Sequence, residues 1–309
     1  MFRLKSFAKI NLGLEVTGKR PDGYHQLRTV FQTIGLYDEI HVQVRSQEGL
    51  VLKGSDSSIQ WDESNTMAKA YRAIVDEVPL PEGTGLEVVV DKHIPAGSGL
   101  GGGSGNAAVL MVFMNEHFHL EIPPQRLVKI AAGVGADVPF FLLGGTVMAE
   151  GIGEVMTPLD DLPASLVGVV VPDVAVSTSQ IFSRYTLTST RFDSKILKFF
   201  GSRQFDLLEN DLEDVTFKLF PEIKHIKDMM RNAGCSCVLM SGSGGAVFAL
   251  LNDNDVKACK ELFPNIRICQ TIDRKSYQNS VGAWPSGKAS VFGADIRRFE
   301  SSRPSHIKG

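Results

Sequence analysis

The sequence predicts an α+β protein of two domains, and three observations carry that reading. Strand-like and helix-like stretches follow one another in mixed order, without the steady βαβ rhythm of a doubly wound sheet. A chain of 309 residues with 43% hydrophobic content can bury more than one core. Composition shifts near Asp160-Asp161-Leu162-Pro163 and again near Ser276 divide it into expected units at 1–160 and 161–275, with 276–309 a mostly disordered tail rich in Gly, Ser, Pro and Arg.

Phe7–Val16 and Glu39–Val44 read as strands joined through the turn-rich Lys19-Arg20-Pro21-Asp22-Gly23. Ser64-Asn65-Thr66 opens a helical pattern through Met67, Ala70, Tyr71 and Ile74, which Pro79 and Pro81 end. A strand Leu86–Val90 leads to a glycine loop and a helix reaching about Phe118. Pro123-Pro124 starts another helix. The apolar run Phe140–Leu143 reads as a strand before the turn Gly144-Gly145, and Thr146–Val155 as a hairpin. The second half reads as strands at Leu166–Val171, Ser236–Met240, Ala246–Leu251 and Ile266–Gln270. Helices are expected across Gln180–Phe182, Asp193–Phe200, Pro221–Asn232 and Asp253–Phe263.

A net charge of −3 gives no electrostatic reason to expect nucleic acid or an acidic membrane surface. No run of about 18 apolar residues occurs, so no membrane span is expected. Cys235, Cys237, Cys259 and Cys269 form no C-x-x-C pair, and Met1-Phe2-Arg3-Leu4-Lys5 is not a secretory leader. They read as reduced core thiols of a cytoplasmic protein.

The most informative segment is Pro95, Ala96, Gly97, Ser98, Gly99, Leu100, Gly101, Gly102, Gly103, Ser104, Gly105, followed by Asn106 and an apolar helix. Glycines let several amides turn toward one point, and a helix opening behind them adds unpaired N–H groups and the positive end of its dipole. That combination seats the phosphates of a nucleotide. Gly97, Gly99 and Gly102 satisfy G-x-G-x-x-G with Glu121 downstream, but Asp91–Pro95 separates them from the strand that a dinucleotide turn must follow directly. Two P-loop spacings, ending at Gly18-Lys19-Arg20 and Gly287-Lys288-Ala289, lack the Ser or Thr that holds Mg²⁺.

Other segments have chemical and bland readings side by side. Lys9, beside small Ala8, is either a partner that keeps a carboxylate ionised or a strand-edge lysine for solubility. Asp137, between helix and apolar run, is a reactive carboxylate or a turn aspartate. Tyr24-His25, after a Pro-Asp-Gly turn, offers a stacking face and a directional hydrogen bond to a base, or is a packed Tyr with a surface His. Asn65 is also a good helix cap, Lys92 an ordinary strand-end lysine, and Ser104 a phosphate or Mg²⁺ ligand or a cap.

Three segments in order, Phe7-Ala8-Lys9-Ile10-Asn11-Leu12, Pro95–Ala108 and Ser241-Gly242-Ser243-Gly244-Gly245-Ala246-Val247-Phe248, resemble the three-motif pattern of the GHMP kinases. Arg20-Pro21-Asp22-Gly23-Tyr24-His25-Gln26-Leu27, Gly135-Ala136-Asp137-Val138-Pro139 and Asn210-Asp211-Leu212-Glu213 bring the chain nearest to the branch acting on 4-diphosphocytidyl-2-C-methyl-D-erythritol, over about residues 2–270. The resemblance implies an N-terminal domain like ribosomal protein S5 and a ferredoxin-like C-terminal domain. It implies ATP and Mg²⁺, with the γ-phosphoryl passing to the 2-hydroxyl of the cytidine diphosphate-linked methylerythritol in isoprenoid precursor synthesis. By the same resemblance Lys9 and Asp137 flank that hydroxyl, Asn11, Tyr24 and His25 bind the substrate, and Pro95–Gly105 with Asn65 and Lys92 hold ATP. A monomer or weak homodimer is expected, and the metal ligands stay unassigned.

Rival readings are a GHMP kinase with a mevalonate- or homoserine-type acceptor, a dinucleotide oxidoreductase, and a non-catalytic nucleotide-binding protein on the kinase scaffold. A small acceptor needs no base clamp, which sets Tyr24-His25 against the first. Gly105, where the family's loops usually carry Ser or Ala, is expected to loosen the phosphate cradle, and Gly244-Gly245 to loosen the third motif. Activity is expected without the tail.

Overall fold

The computed structural model describes residues 1–187, 194–202 and 204–281. Two sheets organise the chain. The first is built from β1 (Phe2–Lys19), β2 (His25–Arg45), β3 (Gly49–Gly54), β4 (Gly85–Asp91), β5 (Thr146–Gly151) and β6 (Val155–Pro158). Its order is β3-β4-β2-β5-β6 with β1 paired to β2, antiparallel except for β3 and β4. Against it lie α1 (Thr66–Glu77), α2 (Gly102–His117), α3 (Pro124–Val134) and the single turn α4 (Phe140–Leu143). The second sheet, in the order β10-β7-β9-β8, is antiparallel and uses β7 (Leu166–Val170), β8 (Ser236–Met240), β9 (Val247–Leu251) and β10 (Arg267–Gln270). Around it stand α5 (Thr178–Arg184), α6 (Lys195–Ser202), α7 (Glu213–Leu219), α8 (Pro221–Asn232) and α9 (Asp253–Leu262), and α10 (Arg274–Ser280) closes the described chain.

Three apolar clusters hold these layers together. One joins the first sheet to α1–α4, and another fills the outer side of the second sheet under α5 and α7–α9. Between the sheets, Ala8, Ile10, Leu12, Val30 and Ile34 meet Val167, Val169, Leu239 and Phe248. β1 and β2 are therefore covered on both faces. That explains why β1 is buried almost continuously from Ser6 to Val16 instead of alternating. α2 is buried nearly all round from Gly105 to Met114, as a central helix must be.

Several expectations are corrected. Phe140–Leu143 is a helical turn rather than a strand; a short, wholly buried apolar run has no periodicity to tell the two apart. β2 begins at His25 instead of Glu39, because burial on both faces between β1, β4 and β5 erases the alternation of its first half. β3 and α7 carry too short a pattern to be read from sequence. The tail does not begin at Ser276: α10 runs to Ser280, and Tyr277 is completely buried in the core of the first sheet. Asp193, the expected start of α6, and the arginines at 297, 298 and 303 lie outside the described residues, as does the rest of the expected tail. All four cysteines are free, and Cys235, Cys237 and Cys259 are buried as expected of core thiols.

Candidate functional site

The glycine loop forms one wall of a cavity of about 420 Å³. Pro95, Ala96, Gly97, Ser98, Gly99, Gly101, Gly102, Gly103 and Ser104 line it, together with Asn65, Lys92 and Trp61. Gly101 takes the left-handed conformation (φ 75°) and caps α2 without a side chain, so the first amides of α2 open toward the cavity. Leu100 turns the other way into the core, and its carbonyl accepts the Lys9 amide at 2.9 Å.

Gly105 is not a loop residue. It sits inside α2, where a Cβ would lie 2.8 Å from the Ser6 hydroxyl and 3.1 Å from the Phe7 carbonyl. Its bare Cα lets α2 press against β1, so the expected loosening of the cradle is replaced by a tight helix–strand contact.

Asn65 caps α1: its side-chain oxygen accepts from the Met67 amide at 2.9 Å, and its amide donates to the Gln60 carbonyl at 2.8 Å. The Lys92 ammonium pairs with the fully buried Asp38 and would stand 3.0 Å from a Cβ on Gly102, beside the first turn of α2. Asp38 also accepts the amides of His93 (2.7 Å) and Ile94 (2.8 Å). Nothing in the sequence links Asp38 to Lys92, because the pair meets only when β2 and β4 are side by side.

Lys9 and Asn11, two apart on β1, share one face. The Lys9 Nζ donates to Asn11 Oδ1 at 2.5 Å and lies 3.6 Å from Asp137 Oδ2. Lys9 is 3% exposed, whereas the Asp137 side chain is 36% exposed. Burial pushes the Lys9 ammonium below its ordinary range, and the charge of the Asp137 carboxylate opposes that shift. Asn11 Nδ2 donates to the Thr29 hydroxyl at 2.8 Å, which donates to the Gly13 carbonyl. The result is a fixed cation with an accessible carboxylate beside it.

The third motif is locked against the glycine loop. The Ser241 hydroxyl donates to the Gly99 carbonyl at 3.0 Å, and the Ala246 amide donates to the Ser98 carbonyl at 2.8 Å. A Cβ on Gly99 (φ 78°) would sit 2.2 Å from the Ser241 carbonyl oxygen. One on Gly245 (φ 94°) would meet Ser98 Cα at 2.9 Å. Gly244-Gly245 thus serves close approach, not looseness. Behind the motif, Asn210 Nδ2 donates to the carbonyls of Met240 (2.8 Å) and Gly242 (2.7 Å), and Thr216 donates to that of Ser243 (3.0 Å). Glu213 accepts the Met240 amide at 2.9 Å and pairs with the buried Lys227.

At the other end of β1, Tyr24 is 62% exposed after its turn. His25 stacks on Phe182 with ring centroids 5.6 Å apart and meets Tyr185 edge-on at 5.7 Å. Burial, then Lys19, push the His25 imidazole below its ordinary value. Phe182 and Tyr185 were missed from sequence: α5 shows only as a short helical stretch, and nothing in it points to His25.

Among the described residues no group of three or more His, Cys, Asp or Glu side chains is arranged to hold a metal. Mg²⁺ does not require one, since it keeps several waters and binds through one or two protein oxygens plus nucleotide phosphates. The cavity fits that habit. Ser104 offers a hydroxyl in its wall, and Asn106, also among the lining residues, has a buried Oδ1 with no partner. An orphan acceptor suits a metal-bound water, not a phosphate oxygen.

Family models for the GHMP kinases N terminal domain and GHMP kinases C terminal match residues 65–145 and 197–263, so fold and site together define a GHMP kinase. The 4-diphosphocytidyl-2-C-methyl-D-erythritol kinase of Geobacter sulfurreducens is 41% identical over 261 residues, 82% of this chain and 90% of that protein. The enzyme of the same name from Caldicellulosiruptor bescii is 35% identical over 269 residues, 84% and 93% of the two chains. A crystal structure of 4-(cytidine 5'-diphospho)-2C-methyl-D-erythritol kinase superposes with a TM-score of 0.73 at 34% identity, covering 87% of this chain and 98% of that one. The chain belongs to the 4-diphosphocytidyl-2-C-methyl-D-erythritol kinase family. It is an ATP-dependent kinase of the GHMP fold. No helix among the described residues is long and apolar enough to cross a membrane.

Proposed function

We propose that this kinase transfers the γ-phosphoryl group of ATP to the 2-hydroxyl of 4-diphosphocytidyl-2-C-methyl-D-erythritol, at a centre formed by Lys9 and Asp137. The observation that carries the reading is the buried Lys9 ammonium 3.6 Å from the accessible Asp137 carboxylate, with its own backbone amide tied to Leu100 of the glycine loop. Asp137 accepts the hydrogen bond of the acceptor hydroxyl and takes its proton as the oxygen bonds to phosphorus and the bond to ADP breaks. Lys9 stands beside that carboxylate and offers positive charge to the transferring group. Asn11 bonds the acceptor. Phosphoryl transfer depends chiefly on such positioning and charge stabilisation. The amides of the glycine loop and of the first turn of α2 hold the ATP phosphates, and Ser104 with Asn106 would hold Mg²⁺ and its water. Mg²⁺ held there would supply positive charge to the nucleotide's phosphates.

Tyr24, His25 and Phe182 supply the aromatic faces and directional nitrogen that a cytosine base requires. A mevalonate or homoserine acceptor would leave that cluster idle, which favours the cytidine substrate over those acceptors. The enzyme works in the cytoplasm as a monomer or weak homodimer in this reading.

ADP release by purified protein with ATP and Mg²⁺ tests it, across the cytidine compound, mevalonate, homoserine and galactose. Turnover confined to the cytidine compound supports the reading. Turnover with another acceptor removes the base clamp, and silence on all four favours a non-catalytic scaffold.

A further inference from the structure

α10 follows the GHMP kinases C terminal match, which ends at residue 263, yet it packs into the first sheet's core behind the glycine loop. α4 is a single turn that begins three residues after Asp137, and one turn is too short to hold itself. A helix leaves its last carbonyls without partners inside it. Here Gly144 N–H closes on the Phe140 carbonyl at 2.9 Å. Two further caps come from α10: Tyr277 Oη donates to the Phe141 carbonyl at 2.6 Å, and Gln278 Nε2 donates to the Leu143 carbonyl at 3.3 Å.

The contact is shaped for that ring. A Cβ on Gly144 (φ 67°) would stand 2.0 Å from Tyr277 Cδ1, so only glycine admits Tyr277 there. On its other side, Phe141 touches the glycine loop: a Cβ on Gly101 would be 2.7 Å from Phe141 Cζ and 3.2 Å from Lys9 Cγ. One buried phenol therefore fixes the turn that directly follows Asp137 and, through the same Phe141, backs the start of α2 beside Lys9. Burial pushes the Tyr277 phenol up, so its hydroxyl remains a donor across the working pH range.

From these contacts we infer that Tyr277 is a positioning residue for phosphoryl transfer, with α10 capping the turn that follows Asp137. The inference rests on the assignment of Lys9 and Asp137 to the transfer centre. It reverses the expectation that nothing from Ser276 onward matters to activity.

The test is Tyr277→Phe in the full-length chain, with kcat, both KM values, ATP affinity and the melting curve measured together. The ring stays and only the cap is lost. The expected result is a kcat about three- to tenfold lower, with ATP affinity and both KM values within about twofold of wild type, at a temperature where the variant is fully folded. A lower melting temperature with wild-type kcat would mean that Tyr277 only stabilises the fold, and would overturn the inference. Should Tyr277→Phe fail to fold, Gln278→Ala removes the neighbouring cap alone. A reduced kcat at unchanged KM supports the inference there, and an unchanged kcat overturns it. Wild-type protein silent toward the cytidine compound would contradict the assigned reaction instead, so the two failures are distinguishable.

Discussion

Lys9 shows how burial and charge oppose each other at one residue. Desolvation alone would favour a neutral amine, and the carboxylate of Asp137 at 3.6 Å pulls in the opposite direction. Asp137→Asn keeps the shape of the side chain but cannot accept the proton. Its kcat should fall about 10²- to 10⁴-fold while ATP binding, followed by titration, stays near wild type. His25 makes a pH prediction. Burial, then Lys19, push its pKa below the ordinary value, so the neutral ring, with one donor and one acceptor nitrogen, predominates at neutral pH and above. KM for the cytidine substrate should be flat above neutral pH and rise on acidification, when protonation removes the acceptor. KM of His25→Ala should be high at every pH, and a wild-type KM that ignores acidification would remove His25 from base recognition.

At the scale of elements, the site depends on backbone surfaces that approach closely because side chains are absent. Gly99→Ala would force a Cβ to 2.2 Å from the Ser241 carbonyl oxygen in a left-handed conformation that itself costs about 1–2 kcal/mol. Its melting temperature and ATP affinity should both fall. Gly105 makes the corresponding contact between α2 and β1, where the Ser6 hydroxyl stays buried and unpaired. Asn210 acts from outside the loops, and Asn210→Ala would strand the buried carbonyls of Met240 and Gly242. About 1–3 kcal/mol of stability should be lost in denaturant titration. An unchanged midpoint would mean that the third motif holds its shape unaided.

Over the whole molecule, the sequence reveals what local pattern encodes. β1, β4, β8 and β9 announce themselves as apolar runs, and the glycine loop and Pro-Asp-Gly turn through residues that permit special backbone geometry. Motif order singled out Lys9, Asn11 and Asp137 in the sequence, and the structure places Lys9 beside the other two. The first half of β2 was hidden because it is buried on both faces, and Phe140–Leu143 because four apolar residues fit either a turn or a strand. Asp38 beneath Lys92, Phe182 against His25, Asn210 behind the third motif and Tyr277 under α4 are contacts between distant segments, which no local period carries. The two sheets meet through the cluster of Ile10, Leu12, Val169 and Phe248, which brings the glycine loop and third motif together.

The most direct measurement is a single-turnover experiment with γ-labelled ATP and the cytidine diphosphate-linked methylerythritol, run on wild type and Asp137→Asn after both ligands are shown to bind each. The account predicts label on the 2-hydroxyl of the acceptor for wild type, and a transfer rate about a hundredfold or more slower for the variant. Label appearing on another acceptor or only in free phosphate, or Asp137→Asn transferring at the wild-type rate, would contradict it.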